Sequence, residues 1–294
     1  MKKHKLAVLA GLVTTLVLTG AAAFPAQAAK PQPISPRTYS ALGDSFAAGV
    51  GAGALITALG QSAEAYPVVL AGGNNLNFNL NFLAVGSGGT TATVAAYQIP
   101  LIPHTTKQVT LTVGGNDLGF VPKATACFTY PTACAFNAAD RVKLRTLTKS
   151  LSSNIAAIHA AAPAATIYVT GYPLLFQAAQ SPHDRGLCVA GDTATGPLVI
   201  SEAQADAMDA DAVALNSAIK SALTRPTHDY ANYVDVTAAF TGHGLCGTYA
   251  SQAPNPYSYI NQVPAVSVIA VPLHPNAAGQ QAYAASIRAK GFKG

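Results

Sequence analysis

Three short segments rich in β-branched or aromatic residues each run straight into a turn of glycine and polar residues. Thr38–Leu42 leads into Gly43-Asp44-Ser45, Asn79–Val85 into Gly86-Ser87-Gly88-Gly89, and Gln108–Val113 into Gly114-Gly115-Asn116-Asp117. Further strands are expected at Thr166–Thr170 and Tyr233–Val236, and helices at Asp140–Ala161, Glu202–Leu223 and Asn276–Ala289. In the first helix Leu144, Leu147, Leu151, Ile155 and Ile158 recur three or four apart, the spacing of one helical face, and Pro163 stops it. Helices interleaved with strands imply βαβ units. The fold class is therefore α/β: a three-layer α/β/α sandwich, flavodoxin-like, on a mainly parallel central sheet. The Gly-, Pro-, Ser- and Asn-rich stretches Thr170–Ser201 and Ala238–Pro272 read as long loops, which hold either a binding site or plain surface.

The N-terminus has the pattern of a secretory signal peptide. Lys2, Lys3 and Lys5 precede a 14-residue apolar run (6–19), and Ala26-Gln27-Ala28 is a small-x-small cleavage site. The run is short for a membrane span. The expected organisation is a signal peptide at 1–28 and one domain at 29–294, exported from the cell. Without the three signal lysines the chain has 14 Lys+Arg against 12 Asp+Glu, a net charge of +2. No basic run is interleaved with aromatics, so nucleic acid is not an expected partner. Export places Cys127, Cys134, Cys188 and Cys246 in an oxidising compartment, where four cysteines allow three pairings. Cys127 and Cys134 close a short loop, which leaves Cys188 with Cys246. No cysteine spacing fits zinc and the seven histidines do not cluster, so neither metal nor cofactor is expected.

A serine at the carboxyl end of a parallel strand sits where α/β sheets bind ligands. Ser45 is thus a candidate nucleophile, although a Ser in this place also suits a helix N-cap. Ala47 stands where the G-x-S-x-G elbow has its second glycine, so this is a different turn. The glycines at 86–89 expose backbone N–H groups that can hold an oxyanion, or form a simple flexible turn. Asn116 can donate a side-chain amide to the same oxygen, or make an Asx-turn with Asp117. His274, in Val271-Pro-Leu-His-Pro-Asn-Ala-Ala-Gly279, can act as a general base or serve structurally.

Together, G-D-S at 43–45, the glycine turn, G-G-N-D at 114–117 and H-P-N-x-x-G at 274–279 resemble the SGNH (GDSL) hydrolase superfamily, over about residues 37–290. The run Y-S-A-L-G-D-S-F-A-A-G-V-G-A-G and F-T-G-H-G-L-C at 240–246 are closest to secreted actinomycete lipases and esterases. The resemblance implies a carboxylic ester hydrolase: Ser45 as nucleophile and first oxyanion donor, Gly88 as second donor, Asn116 as third and His274 as base. S-G-G-T-T at 87–91 favours Gly88 over Gly86. The two later disulfides fit such relatives, while an earlier bridge found in many of them is absent. Most relatives carry an Asp three residues before the histidine, and here that residue is Val271. Two orienters of His274 follow: the Val271 backbone carbonyl, or Asp235 at a strand end.

The expected substrate is a small-molecule ester or lipid of short-to-medium or longer acyl chain. Leu174, Leu175, Phe176, Val266, Val268 and Ile269 either suit that chain or pack in the core. A phospholipase and a carbohydrate acetylesterase are alternatives on the same site, and a non-catalytic secreted binding protein is the alternative of another class. A monomer with transient contact to a lipid interface is expected.

Overall fold

The computed structural model describes residues 37–72, 78–177, 186–224, 229–247, 253–263 and 271–293. The expected signal peptide at 1–28, Val266, Val268 and Ile269 lie outside these residues. The strands are β1 (Arg37–Gly43), β2 (Phe78–Phe82), β3 (Gln108–Thr112), β4 (Thr166–Thr170), β5 (Leu187–Thr193), β6 (Gly196–Ser201) and β7 (Ala231–Val234). Five of them form one sheet in the order β2-β1-β3-β4-β7, every neighbouring pair parallel. The helices are α1 (Ser45–Ala48), α2 (Tyr66–Gly72), α3 (Thr91–Thr93), α4 (Gly115–Leu118), α5 (Phe120–Cys127), α6 (Ala138–Ala161), α7 (Glu202–Ser221) and α8 (Ala277–Ala289). Among the described residues, no helix is long and apolar enough to cross a membrane.

The strand order explains the layers. The chain steps from β1 to β2 one way, and from β3 through β4 to β7 the other way. Right-handed crossovers then place α2 on one face and α6 and α7 on the opposite one. Accordingly α2 packs with α8, and α6 with α7. The reversal falls between β1 and β3, and there an α/β sheet opens a crevice beyond its carboxyl ends. Ser45 follows β1 and Asn116 follows β3, so both stand at that crevice. On the α2 and α8 face, buried hydroxyls pair off: Tyr39 with Thr110, Tyr66 with Thr112, and Thr112 with Thr170. Each pair avoids the cost of about 1–3 kcal/mol for an unsatisfied buried polar group.

Sequence and structure differ in several places, and the strand expected at Asn79–Val85 ends at Phe82. The last strand ends two residues earlier than expected, because Asp235 leaves the ladder and turns the chain by accepting from Thr237 N–H (2.9 Å). α6 begins two residues early, because Asn137 and Asp140 form a reciprocal capping box at its start. Thr170–Ser201 contains a structured unit rather than loop alone: β5 and β6 form an antiparallel hairpin outside the main sheet. The Cys188–Cys246 disulfide ties this hairpin to the segment after Phe240, and Cys127–Cys134 closes the end of α5. In the chain-entropy picture a bridge spanning 58 residues stabilises by about 4 kcal/mol.

Candidate active site

The last residue of β1 fixes the approach to Ser45. Gly43 has φ +135, and a Cβ there would lie 2.1 Å from the Thr112 carbonyl oxygen, so only glycine fits. The next residue, Asp44, donates its N–H to that same oxygen (3.0 Å) and ends the strand. Its side chain then accepts from Phe46 N–H (3.0 Å) and caps α1. The helix cap is therefore Asp44, and Ser45 is the first helical residue. Its N–H is one of the donors that a first turn leaves without an internal acceptor.

His274 meets Ser45 at this point. Its Nε2 lies 2.9 Å from Ser45 Oγ, and its Nδ1 lies 2.9 Å from the Pro272 carbonyl oxygen. A carbonyl only accepts, so Nδ1 carries the proton and Nε2 presents a lone pair to the serine hydroxyl. The ring is buried, with 6% of its surface exposed. Burial pulls its pKa below the ordinary 6.5, partly opposed by the Pro272 bond, so the imidazole is neutral at pH 7.

The carbonyl that meets Nδ1 is that of Pro272, not of Val271. His274 N–H reaches back to the Val271 carbonyl (3.4 Å), which closes a turn. Proline in its second position and φ +61 at Leu273 mark type II. The turn occupies the Val271 carbonyl with backbone and leaves the Pro272 carbonyl for the ring. A left-handed leucine costs about 1–3 kcal/mol. Asn261 holds it there, accepting from Leu273 N–H (3.0 Å) and donating its own N–H to the His274 carbonyl (2.9 Å). Asp235 is exposed and binds Thr237 through both N–H and hydroxyl. The Nδ1 that an acid would need is already bonded to Pro272.

The glycine turn after β2 is clamped from β3. Asn116 Nδ2 donates to the Gly89 carbonyl (2.9 Å), which leaves its second amide hydrogen free to point into the crevice. The Asp117 carboxylate takes Thr91 N–H (3.1 Å) and its hydroxyl (2.5 Å). Neither residue makes a merely local turn. Gly86 N–H is engaged by the Leu59 carbonyl (2.7 Å), so it cannot serve an oxyanion. Gly88, at φ +67, is exposed, and the next residue, Gly89, lies against Asp44 and Asn116.

These contacts agree with what the chain resembles as a whole. The GDSL-like lipase/acylhydrolase family model matches residues 41–282. The chain belongs to that family. A lipase of Streptomyces rimosus is 34% identical over 245 residues, covering 81% of this chain and 84% of that protein. Lipase 1 of Streptomyces coelicolor is 30% identical over 280 residues, covering 92% and 94%. The crystal structure of the extracellular S. rimosus lipase superimposes with a TM-score of 0.67 at 28% identity, covering 86% of this chain and 99% of that one. Phospholipase A1 of Streptomyces albidoflavus gives 0.67 at 29% identity, covering 87% and 100%. This GDSL hydrolase is a carboxylic ester hydrolase.

Several residues that shape its site were not singled out from sequence. Tyr172, after β4, accepts Gly115 N–H (3.0 Å) and donates to Asp44, joining the Ser45 and Asn116 turns. Burial, opposed by the Tyr172 and backbone hydrogen bonds, raises the Asp44 pKa to about 7. Three buried amides grip the backbone around these turns. Gln98 pairs with both N–H and carbonyl of Gly43, Asn216 does the same for Tyr172, and Gln280 bridges Tyr66 N–H and the Phe46 carbonyl. Only Asp44 left a sequence signal, an Asp directly before a helix start. Leu175 and Phe176, each 1% exposed, pack in the core and do not front the crevice, and Leu174 packs partly buried against it.

Proposed function

We propose that this GDSL hydrolase is a secreted lipase or esterase that cleaves acyl esters through a Ser45–His274 dyad. The observation that carries this reading is the 2.9 Å contact of Ser45 Oγ with His274 Nε2, whose Nδ1–H is held by Pro272. Ser45 Oγ attacks the ester carbonyl as its proton passes to Nε2. The carbonyl oxygen becomes an oxyanion, held by the N–H groups of Ser45 and Gly88 and by Asn116 Nδ2. The imidazolium gives its proton to the leaving alcohol, and water, deprotonated by the same nitrogen, then releases the acid and restores Ser45. The Pro272 carbonyl fixes the ring and its tautomer, two of the tasks an acid performs in a triad. The names of the relatives support ester lipids as substrates, and the phospholipase A1 relative supports an acyl chain on a phospholipid as the second reading. The signal-peptide pattern at 1–28 and the compact unit at Pro36–Gly294 support export of a single-domain mature chain.

The test is hydrolysis of p-nitrophenyl esters across chain lengths, and of phosphatidylcholine, before and after a serine-reactive phosphonate. Turnover abolished by one equivalent of phosphonate on Ser45 supports the proposal. No turnover at any chain length would favour a binding protein. Two outcomes are expected from the geometry. The kcat/KM profile should hold at neutral pH and fall in acid, because protonated His274 cannot take the serine proton. The midpoint should lie below 6.5, the direction burial sets, and a limb centred above 6.5 would contradict it. Asp235→Asn should leave kcat within about twofold, since neutralising a carboxylate away from the chemistry removes no transition-state contact. A loss of orders of magnitude would make Asp235 part of the machinery.

A further inference from the structure

The segment after the Ser45 turn carries an unusual surface. Residues 54–59, Ala-Leu-Ile-Thr-Ala-Leu, are all exposed, with Leu55, Ile56 and Leu59 at 57%, 55% and 53%. They supply three of the nine large apolar side chains exposed among the described residues, within five positions. Of the other six, Tyr97 and Leu101 stand four apart, and Tyr130, Val142, Val213 and Tyr257 are single surface hydrophobics of the common kind. No charged residue occurs from Ser45 to Ala63.

The loop is held in a defined shape. Leu55 bridges Ser62 across its neck, and Ile56 N–H bonds the Gln61 carbonyl (2.7 Å). The Gln61 amide donates to the Phe82 and Ala84 carbonyls (2.8 and 2.9 Å). Both ends rest on the site. Gly51 packs so closely on Asn261, Val271 and His274 that a Cβ would lie 3.3 Å from the His274 Cβ. At the other end Gly60 lies on Gly86, where a Cβ on either would come within 3.0 Å of the other's Cα. Gly86 is two residues before Gly88. The apolar tip therefore springs from between the histidine side and the glycine-turn side of the crevice.

We infer that Leu55, Ile56 and Leu59 form a docking tip that inserts into the surface of an uncharged or zwitterionic lipid aggregate and sets the crevice against it. Such side chains gain by leaving water, and a tip without lysine or arginine takes nothing from anionic headgroups. The exposed Glu64 at the base of the loop disfavours an anionic surface further. The inference rests on the ester-lipid reading for its purpose, but the docking is measurable without catalysis.

The experiment compares the wild-type chain with the triple variant Leu55→Ser, Ile56→Ser, Leu59→Ser. Flotation with phosphatidylcholine vesicles is measured in a Ser45→Ala background, and turnover on dissolved p-nitrophenyl butyrate and on emulsified triacylglycerol in the active one. Vesicle binding should weaken about tenfold or more in the triple variant, and wild-type binding should depend little on salt and gain nothing from added anionic lipid. The emulsion rate should fall by a similar factor, and the dissolved ester should be turned over within about twofold of wild type. Unchanged vesicle binding would overturn the inference, as would equal losses on dissolved and emulsified substrate, which would make the loop part of the site. A wild-type dimer that the triple variant dissolves, seen by analytical ultracentrifugation, would assign the patch to a second copy and overturn it too. If wild type hydrolyses no ester, the ester reading fails while flotation still decides the docking.

Discussion

Ser45→Ala and His274→Ala are each expected to lower kcat on a p-nitrophenyl ester by about 10⁵–10⁶-fold, and the double variant to fall no further. The lack of additivity follows from the geometry. With Nδ1 bonded to the Pro272 carbonyl, the one basic position of the ring is Nε2, and it points at Ser45 Oγ from 2.9 Å. A serine with no base is a weak nucleophile, and a base with no serine has no proton to take in this step. Neither loss should unfold the protein. Ser45 is partly exposed at the start of α1, and its helix is capped by Asp44, whose contact with Phe46 N–H does not involve the serine side chain. The measurement is steady-state kcat for the three variants, with thermal melts alongside. Additive losses in the double variant would mean that the two residues act in separate steps and would sink the dyad.

Sheet, crossovers and the strand-end position of Ser45 and Asn116 were legible in the sequence for a physical reason. A parallel strand buried on both faces must be short and rich in β-branched residues, and it must end where the next helix begins. Gly43 and Gly114 mark those ends because the backbone there takes positive φ. The β5–β6 hairpin was not legible, because its Gly, Asp, Thr and Pro content reads as loop. The orienter of His274 was legible only in part. Val271 in place of an acid left either a backbone carbonyl or Asp235 to meet the ring, and which carbonyl does so depends on the turn. Proline at 272 allows type I or type II, and a leucine in the third position gives no hint of φ +61. That choice is made by Asn261, which bonds Leu273 and His274 from outside the motif. Tyr172 and the amides of Gln98, Asn216 and Gln280 were invisible for the same reason, since each acts on backbone far away in sequence. The S-G-G-T-T register already favoured Gly88 over Gly86, and a long-range contact, the Leu59 carbonyl on Gly86 N–H, points the same way.

Asn116→Ala is expected to lower kcat by about 10²–10³-fold with KM little changed, the cost of removing one preorganised oxyanion donor. The side chain is exposed to the crevice and one amide hydrogen is bonded to the Gly89 carbonyl, so its orientation is set before substrate arrives. Donors fixed in this way favour the charged oxygen of the transition state over the neutral ester, which is why the loss belongs in kcat rather than KM. Alanine also frees the Gly89 carbonyl, yet Asp117 still holds the far end of the turn through Thr91. Asn116→Asp separates donation from shape. The carboxylate nearly matches the amide in size but at neutral pH only accepts hydrogen bonds, and it places a negative charge beside the oxyanion. It should therefore be at least as slow as the alanine variant. If aspartate instead restored turnover toward wild type, Asn116 would be filling space in the crevice and the third oxyanion donor would have to be sought elsewhere.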